Sequence, residues 1–375
     1  MATDVATTAR DIAAGMLGPK ADEVDRKRKY PKEGLTALGK AGLMGVLIPE
    51  AHGGLGGSLN DFALACEALG WGCASTAMCF LMHACGTAVI AAKARPDQAK
   101  SWLQPAAKGK SIATLAFSER GTGAHFYAPE ISAATKNGSF LLSGRKSFVT
   151  SGGHAALYPV LVNASGEPGL DVIVVTPDLD GVGFEGSWDG IGMAGNSSIA
   201  MTLDDVMVPR GNLIGAEGDG QSLVFDVVAP TFLIGLAGVN IGIAQAAFET
   251  AIEHAKNRRY PTGQALAEIQ SIQMSIADAS IAIESARRLL QEAARAAGAG
   301  EEAALPLVMQ AKIAATEAAA AVTERAMRIG GGQAYGRTLP LERHWRDSRA
   351  GAVMAPTNDV LREWLGKIHA GLPLF

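Results

Sequence analysis

Charge of one sign, paired cysteines and unbroken apolar runs are all scarce in this chain. Lys and Arg number 33 against 37 Asp and Glu, a formal net charge of −4. With no dense basic run, there is no electrostatic footprint for nucleic acid or an acidic membrane surface. The four cysteines, Cys66, Cys73, Cys79 and Cys85, form no CxxC pair and have no histidine at zinc-like spacing. They read as buried, reduced thiols, and no metal site is expected. The N-terminus sets Asp4, Arg10 and Asp11 among small residues without an apolar core, so no secretory signal is expected. The most apolar stretch, Val227 to Phe248, is interrupted by Pro230, Asn240 and Gln245 and runs into Glu253, His254 and Lys256. A membrane span needs about 20 mostly apolar residues, so a buried bundle helix in a cytoplasmic protein is expected here.

What is present is organised in three textures. At 375 residues the chain is long enough for two or three domains, since single cores rarely outgrow about 250–300 residues. Residues 1–112 carry helical apolar spacing, such as Leu35, Leu38 and Leu43, around the loop Pro49-Glu50-Ala51-His52-Gly53-Gly54. Residues 113–220 switch to β-rich runs, among them Ser147-Phe148-Val149-Thr150 and Val172-Ile173-Val174-Val175, separated by turn pairs such as Asn137-Gly138. Residues 221–375 return to helix, with Ile272, Ile276, Ala279 and Ile283 in one amphipathic run and Ala-rich stretches beyond it.

Four motifs punctuate this layout. Phe117-Ser118-Glu119-Arg120-Gly121-Thr122-Gly123 follows an apolar run; read alone it is a β-turn. Lys146-Ser147-Phe148-Val149-Thr150-Ser151-Gly152 offers a flat apolar wall in Phe148 and a donor in Thr150, or simply a strand with Phe148 in the core. Arg259-Tyr260-Pro261-Thr262-Gly263 precedes Gln270-Ser271-Ile272-Gln273; an arginine fork suits a diphosphate, and the alternative is one solvated charge. Arg328-Ile329-Gly330-Gly331-Gly332 ends a helical run, with Tyr335, Arg346-Asp347 and Thr357 following. Glycines there permit close backbone approach to a flat or phosphorylated ligand and a helix C-cap.

Taken together, these motifs resemble the acyl-CoA dehydrogenase family. The resemblance implies an α+β fold: an N-terminal α-helical domain, a central β-barrel-like domain and a C-terminal four-helix bundle. It implies FAD as cofactor, contacted by Phe117, Ser118, Gly123, Phe148, Thr150, Arg259, Gln270, Arg328, Gly331, Gly332, Thr357 and Asp359, with Arg259 reaching across a subunit interface of a homodimer or homotetramer. An acyl thioester substrate and an electron-transferring flavoprotein partner follow from the same resemblance. The sequence also departs from the pattern. Arg328 stands where the family has Gln, Ala334 replaces a glycine, Thr262 a Phe and Ala194 an Arg. Ala124, Pro230 and Leu233 replace residues that hold coenzyme A, and Ala355 replaces the catalytic Glu.

The expected reaction is α,β-dehydrogenation of an acyl thioester, which needs a base opposite the flavin. His83, in a helix bordering the family's substrate cavity, is one candidate, although a histidine there is more often a core residue; Asp359 is the other. Two further readings stay open: a flavin-dependent monooxygenase, oxidase or lyase-type relative acting on a substrate without coenzyme A, and a catalytically silent subunit supporting a competent partner.

Overall fold

The structure, a computed structural model, describes residues 4–166 and 168–374. The N-terminal helices are α1 (Val5–Ile12), α2 (Gly18–Arg26), α3 (Lys32–Lys40), α4 (Leu59–Gly72) and α5 (Ala74–Lys93). Helix α4 starts on a capping box in which Ser58 Oγ accepts from the Asp61 amide and Asp61 accepts from the Ser58 amide, so two orphan donors of the first turn are satisfied. Helix α5 is buried along most of its length, and all four cysteines lie free and buried in α4, α5 and the residue between them.

The middle segment contributes β1 (Ala134–Lys136), β2 (Ser139–Val149), β3 (Tyr158–Asn163), β4 (Leu170–Val175), β5 (Val182–Glu185) and β6 (Ile199–Pro209). They form a four-stranded antiparallel sheet of order β1-β2-β6-β5 and a separate β3–β4 hairpin. Phe140, Leu142, Val160, Ile173, Met201 and Val208 fill one core between them. The middle segment is thus mainly sheet, as expected, its two sheets sharing that core, and isolated bridges attach Ala116 to Val160 and Ser132 to Asn163 of the hairpin.

The C-terminal bundle is built from α6 (Ala229–Asn257), α7 (Gln270–Gly298) and α8 (Ala304–Tyr335), with the shorter α9 (Leu341–Ser348) and α10 (Asn358–His369) packed on it. Helices α4 and α6 cross so closely that a Cβ on Gly70 would meet Val239 O at 2.4 Å, and one on Gly242 would meet Glu67 O at 2.1 Å. Glycine at these two positions is what allows backbone to touch backbone. Three helical stretches, Ala74–Lys93, Gly220–Asn257 and Ala304–Tyr335, are long and apolar enough to cross a membrane by length and composition, but much of each apolar window is covered by the protein itself.

Candidate active site

Strand β2 ends in a bulge: Lys146 pairs with Met201 and Val149 with Ile199, so Ser147 and Phe148 together face one residue of β6. An extra residue bends the strand and re-aims its side chains. Phe148 takes φ of +54° and leaves its ring 69% exposed, edge-on to Trp188 at 6.4 Å. The core position considered for Phe148 is therefore corrected. A large apolar ring held in a conformation that costs about 1–3 kcal/mol, and turned away from the core, fits a planar partner. Next to it Thr150 is buried, its hydroxyl 3.0 Å from Ser198 Oγ.

The Phe117–Gly123 segment is bound to the same strand. The Ser147 amide donates to Ser118 O at 2.8 Å, and the fully buried Lys146 ammonium donates to Phe117 O, Leu161 O and the Glu119 carboxylate. Glu119 also accepts from the backbone amides of Glu130 and Ile131. Burial pushes the Lys146 ammonium below its usual range, and Glu119 opposes that shift. The motifs do not disclose this buried pair; its one signal in the sequence is a lysine in phase with the buried Phe140 and Leu142 of the same strand. Among the described residues Ser118 Oγ makes no hydrogen bond, and Gly123 (φ +54°) has open space where a Cβ would stand.

Thr357 caps α10, its Oγ1 accepting from the Val360 amide, so its hydroxyl hydrogen stays free to donate. Asp359, itself exposed, follows in the first turn of α10. The segment Met354–Asn358 is tied to the bundle by Lys312, a wholly buried lysine of α8. Its Nζ donates to Pro356 O at 3.0 Å, Asn358 Oδ1 at 2.9 Å and Met354 O at 3.5 Å. No motif points to Lys312 either, though it falls on the buried stripe of Val308, Met309, Ala315 and Ala319, where a charge is unusual.

A second group of candidates sits at one end of the bundle. Arg259 is exposed, donating to Gly263 O at 3.0 Å, and Gln270 is the exposed first residue of α7. Arg328 is exposed and paired with Glu324. Helix α8 does not stop at the glycines: it runs to Tyr335 through a break at Gly331, whose φ of 53° and ψ of −134° are non-helical. A Cβ placed on Gly331 or Gly332 would meet no atom within 4 Å, and Tyr335 is 87% exposed. The packing of Leu266, Ile269, Ile329 and Leu341 brings these residues together. Among the described residues, no hydrogen bond or ion pair joins them to Phe148, Thr150 or Thr357 of the same chain.

His83 has no part in either group. Its ring is wholly buried, Nδ1 accepting from the Ala113 amide at 3.1 Å and Nε2 lying 3.0 Å from Met44 O. That pairing fixes the neutral tautomer with the proton on Nε2, and burial lowers the pKa to about 4. The catalytic candidacy of His83 is corrected: it is a structural histidine with no nitrogen to spare.

The loop before β6 completes the wall beside Phe148. Arg28 donates to Trp188 O and Gly190 O, Arg346 donates to Ile191 O and grips Asp25 through both terminal nitrogens, and Asp347 accepts from the Met193 amide at 2.6 Å. Burial raises the Asp347 carboxyl to about 6. The Arg-Asp pair thus fastens the middle domain between the first and last helical segments.

Comparison with known proteins covers nearly the whole chain. The N-terminal, middle and C-terminal domain models of acyl-CoA dehydrogenases match residues 2–110, 114–206 and 234–369. The chain is 31% identical to the mitochondrial short-chain specific acyl-CoA dehydrogenase of Bos taurus, over 95% of this chain and 86% of that protein. It is 30% identical to an acyl-CoA dehydrogenase of Bacillus subtilis, over 96% of each. The solved structure of butyryl-CoA dehydrogenase from Megasphaera elsdenii superposes with a TM-score of 0.93 at 28% identity, covering 98% of this chain and 97% of that one. Sequence and fold converge: the chain belongs to the acyl-CoA dehydrogenase family.

Proposed function

We infer that this protein binds FAD and dehydrogenates the Cα–Cβ bond of an acyl thioester, passing electrons to an electron-transferring flavoprotein. The observation that carries the reading is Phe148, an exposed ring on a strained bulge beside the buried Thr150 hydroxyl. FAD, when bound, supplies the hydride acceptor. Phe148 would give the bound cofactor a flat wall, and Ser118, Thr150 and Thr357 would offer it hydroxyl donors. Arg259, Gln270, Arg328, Gly331 and Gly332, gathered at the bundle end and exposed, suit the cofactor's diphosphate and adenosine half in a second copy of the chain. Met274 and Ile281 on the exposed face of α7 are apolar surface that such a dimer or tetramer would cover.

The proton-abstracting role falls to Asp359 in this reading. It is the one carboxylate between Ala350 and Arg362 and stands two residues beyond Thr357, whereas Ala355 offers none. Buried Leu233 and half-buried Pro230 and Ala124 offer no charge to coenzyme A, so the thioester carrier is held by other contacts. Anaerobic addition of acyl-CoAs of graded length tests the reading: bleaching of the flavin's visible band is expected with one chain class, and Asp359→Asn should slow it by about 10²–10⁴-fold while flavin stays bound.

Ala355 also favours a second reading, a subunit that supports a base-bearing partner. An oxidised flavin with every thioester, together with a stoichiometric complex with a Glu-bearing paralogue, is its expected signature. Oxygen consumption with a flavin reductase would instead indicate the oxygenase or oxidase chemistry.

A further inference from the structure

Among the described residues, Lys312 is the fully buried cation without a carboxylate partner; the other buried lysine, Lys146, is paired with Glu119. Its side chain is wholly buried in α8, and among the described residues no carboxylate lies within 4.0 Å of its ammonium. Taking a charge out of water without a counter-ion is expensive, so the three neutral acceptors it reaches must together justify its place. All three belong to one five-residue stretch: Met354 O, Pro356 O and Asn358 Oδ1. They alternate with Ala355 and Thr357. The carbonyls on either side of Ala355 and the side chain after Thr357 are therefore drawn towards the bundle, and the residues between them are held at its surface. Asn358 is locked in turn, its amide donating to Thr316 Oγ1 at 3.0 Å.

We propose that Lys312 is a positioning residue of the active centre, pinning the Met354–Asn358 segment to α8 and so fixing where Thr357 and the start of α10 stand. The proposal rests on the FAD reading for its functional consequence, but the pinning itself does not. Lys312 is no candidate base: each hydrogen bond it makes to the segment requires it to donate.

The test uses the full-length protein and Lys312→Met, which keeps the stem's length and removes the donors. Backbone hydrogen exchange at residues 354–360 should accelerate by roughly tenfold or more, the weight of a charge-assisted hydrogen bond in a local opening, while amides in the middle of α6 and α8 keep their protection. Titration of apoprotein with FAD should show affinity weakened by a similar factor. To guard against a Lys312→Met protein too unstable to fold, Asn358→Ala is measured beside it. That variant removes one of the three acceptors and leaves the charge, and a smaller acceleration confined to the same segment is expected. Unchanged exchange at 354–360 in whichever variant folds overturns the proposal, as does acceleration spread evenly over the bundle. If the wild-type protein takes up no FAD, the functional reading fails on its own, and the exchange data still decide the role of Lys312.

Discussion

His83 and Lys312 are buried titratable groups whose protons respond to pH in different ranges. The His83 pKa is lowered to about 4 by burial, so between the unfolded value near 6.5 and that point the unfolded chain takes up a proton the folded chain refuses. Its stabilisation is complete above pH 6.5 and is lost as pH falls towards 4, by about 2–3 kcal/mol. Urea titrations at pH 7 and pH 5 should show that drop, and His83→Gln, which offers an acceptor and a donor but no titration, should show a smaller one. Lys312 is lowered to about 7, by burial first and by Arg362 second, with Asp359 opposing. Here too the unfolded state binds more protons, so the stability of the wild type relative to Lys312→Met should rise as pH increases from about 7 towards 10. Phe148 carries a third expectation. Because its ring is mostly exposed on a strained backbone, Phe148→Ala should change the melting free energy by less than about 0.5 kcal/mol yet weaken FAD binding in a fluorescence titration.

Among the elements, the glycine-broken end of α8 and the bulge of β2 show where local rules yield. Gly331 at φ 53° and ψ −134° is a conformation nearly closed to a side chain, whereas Gly332 sits in ordinary helical backbone with open space around it. Gly331→Ala should therefore cost about 1–3 kcal/mol and Gly332→Ala well under 1 kcal/mol, a difference that thermal melts of the two variants would resolve. In the sequence the element types were plain, because helical spacing and β-rich runs change abruptly near Thr114 and again near Gln221. The motif strings were equally plain. Hidden were the features made by contacts distant in sequence. The bulge that turns Phe148 outwards depends on how β2 registers against β6, 50 residues on. The role of His83 depends on Met44 O and the Ala113 amide, neither of which any pattern around His83 reveals. Lys146 and Glu119 lie 27 residues apart and meet only once the strand and the preceding loop are assembled. Glu119→Gln leaves the buried ammonium without its counter-charge and should destabilise the protein by about 3–5 kcal/mol.

At the scale of the whole molecule, the loop from Trp188 to Met193 is held by residues from both ends of the chain, Arg28 on one side and Arg346 and Asp347 on the other. Space has been kept for that closure: a Cβ on Gly192 would meet Arg346 O at 2.6 Å, and one on Gly195 would meet Lys29 O at 2.6 Å. The arrangement has a consequence for biosynthesis. During translation the loop leaves the ribosome with only its N-terminal clamp already made, and Arg346 is added 155 residues after Ile191. At about 5–20 residues per second the nascent middle domain therefore waits roughly 8–30 s before its second clamp exists. Until the last tenth of the chain is synthesised, the wall beside Phe148 stands half-built.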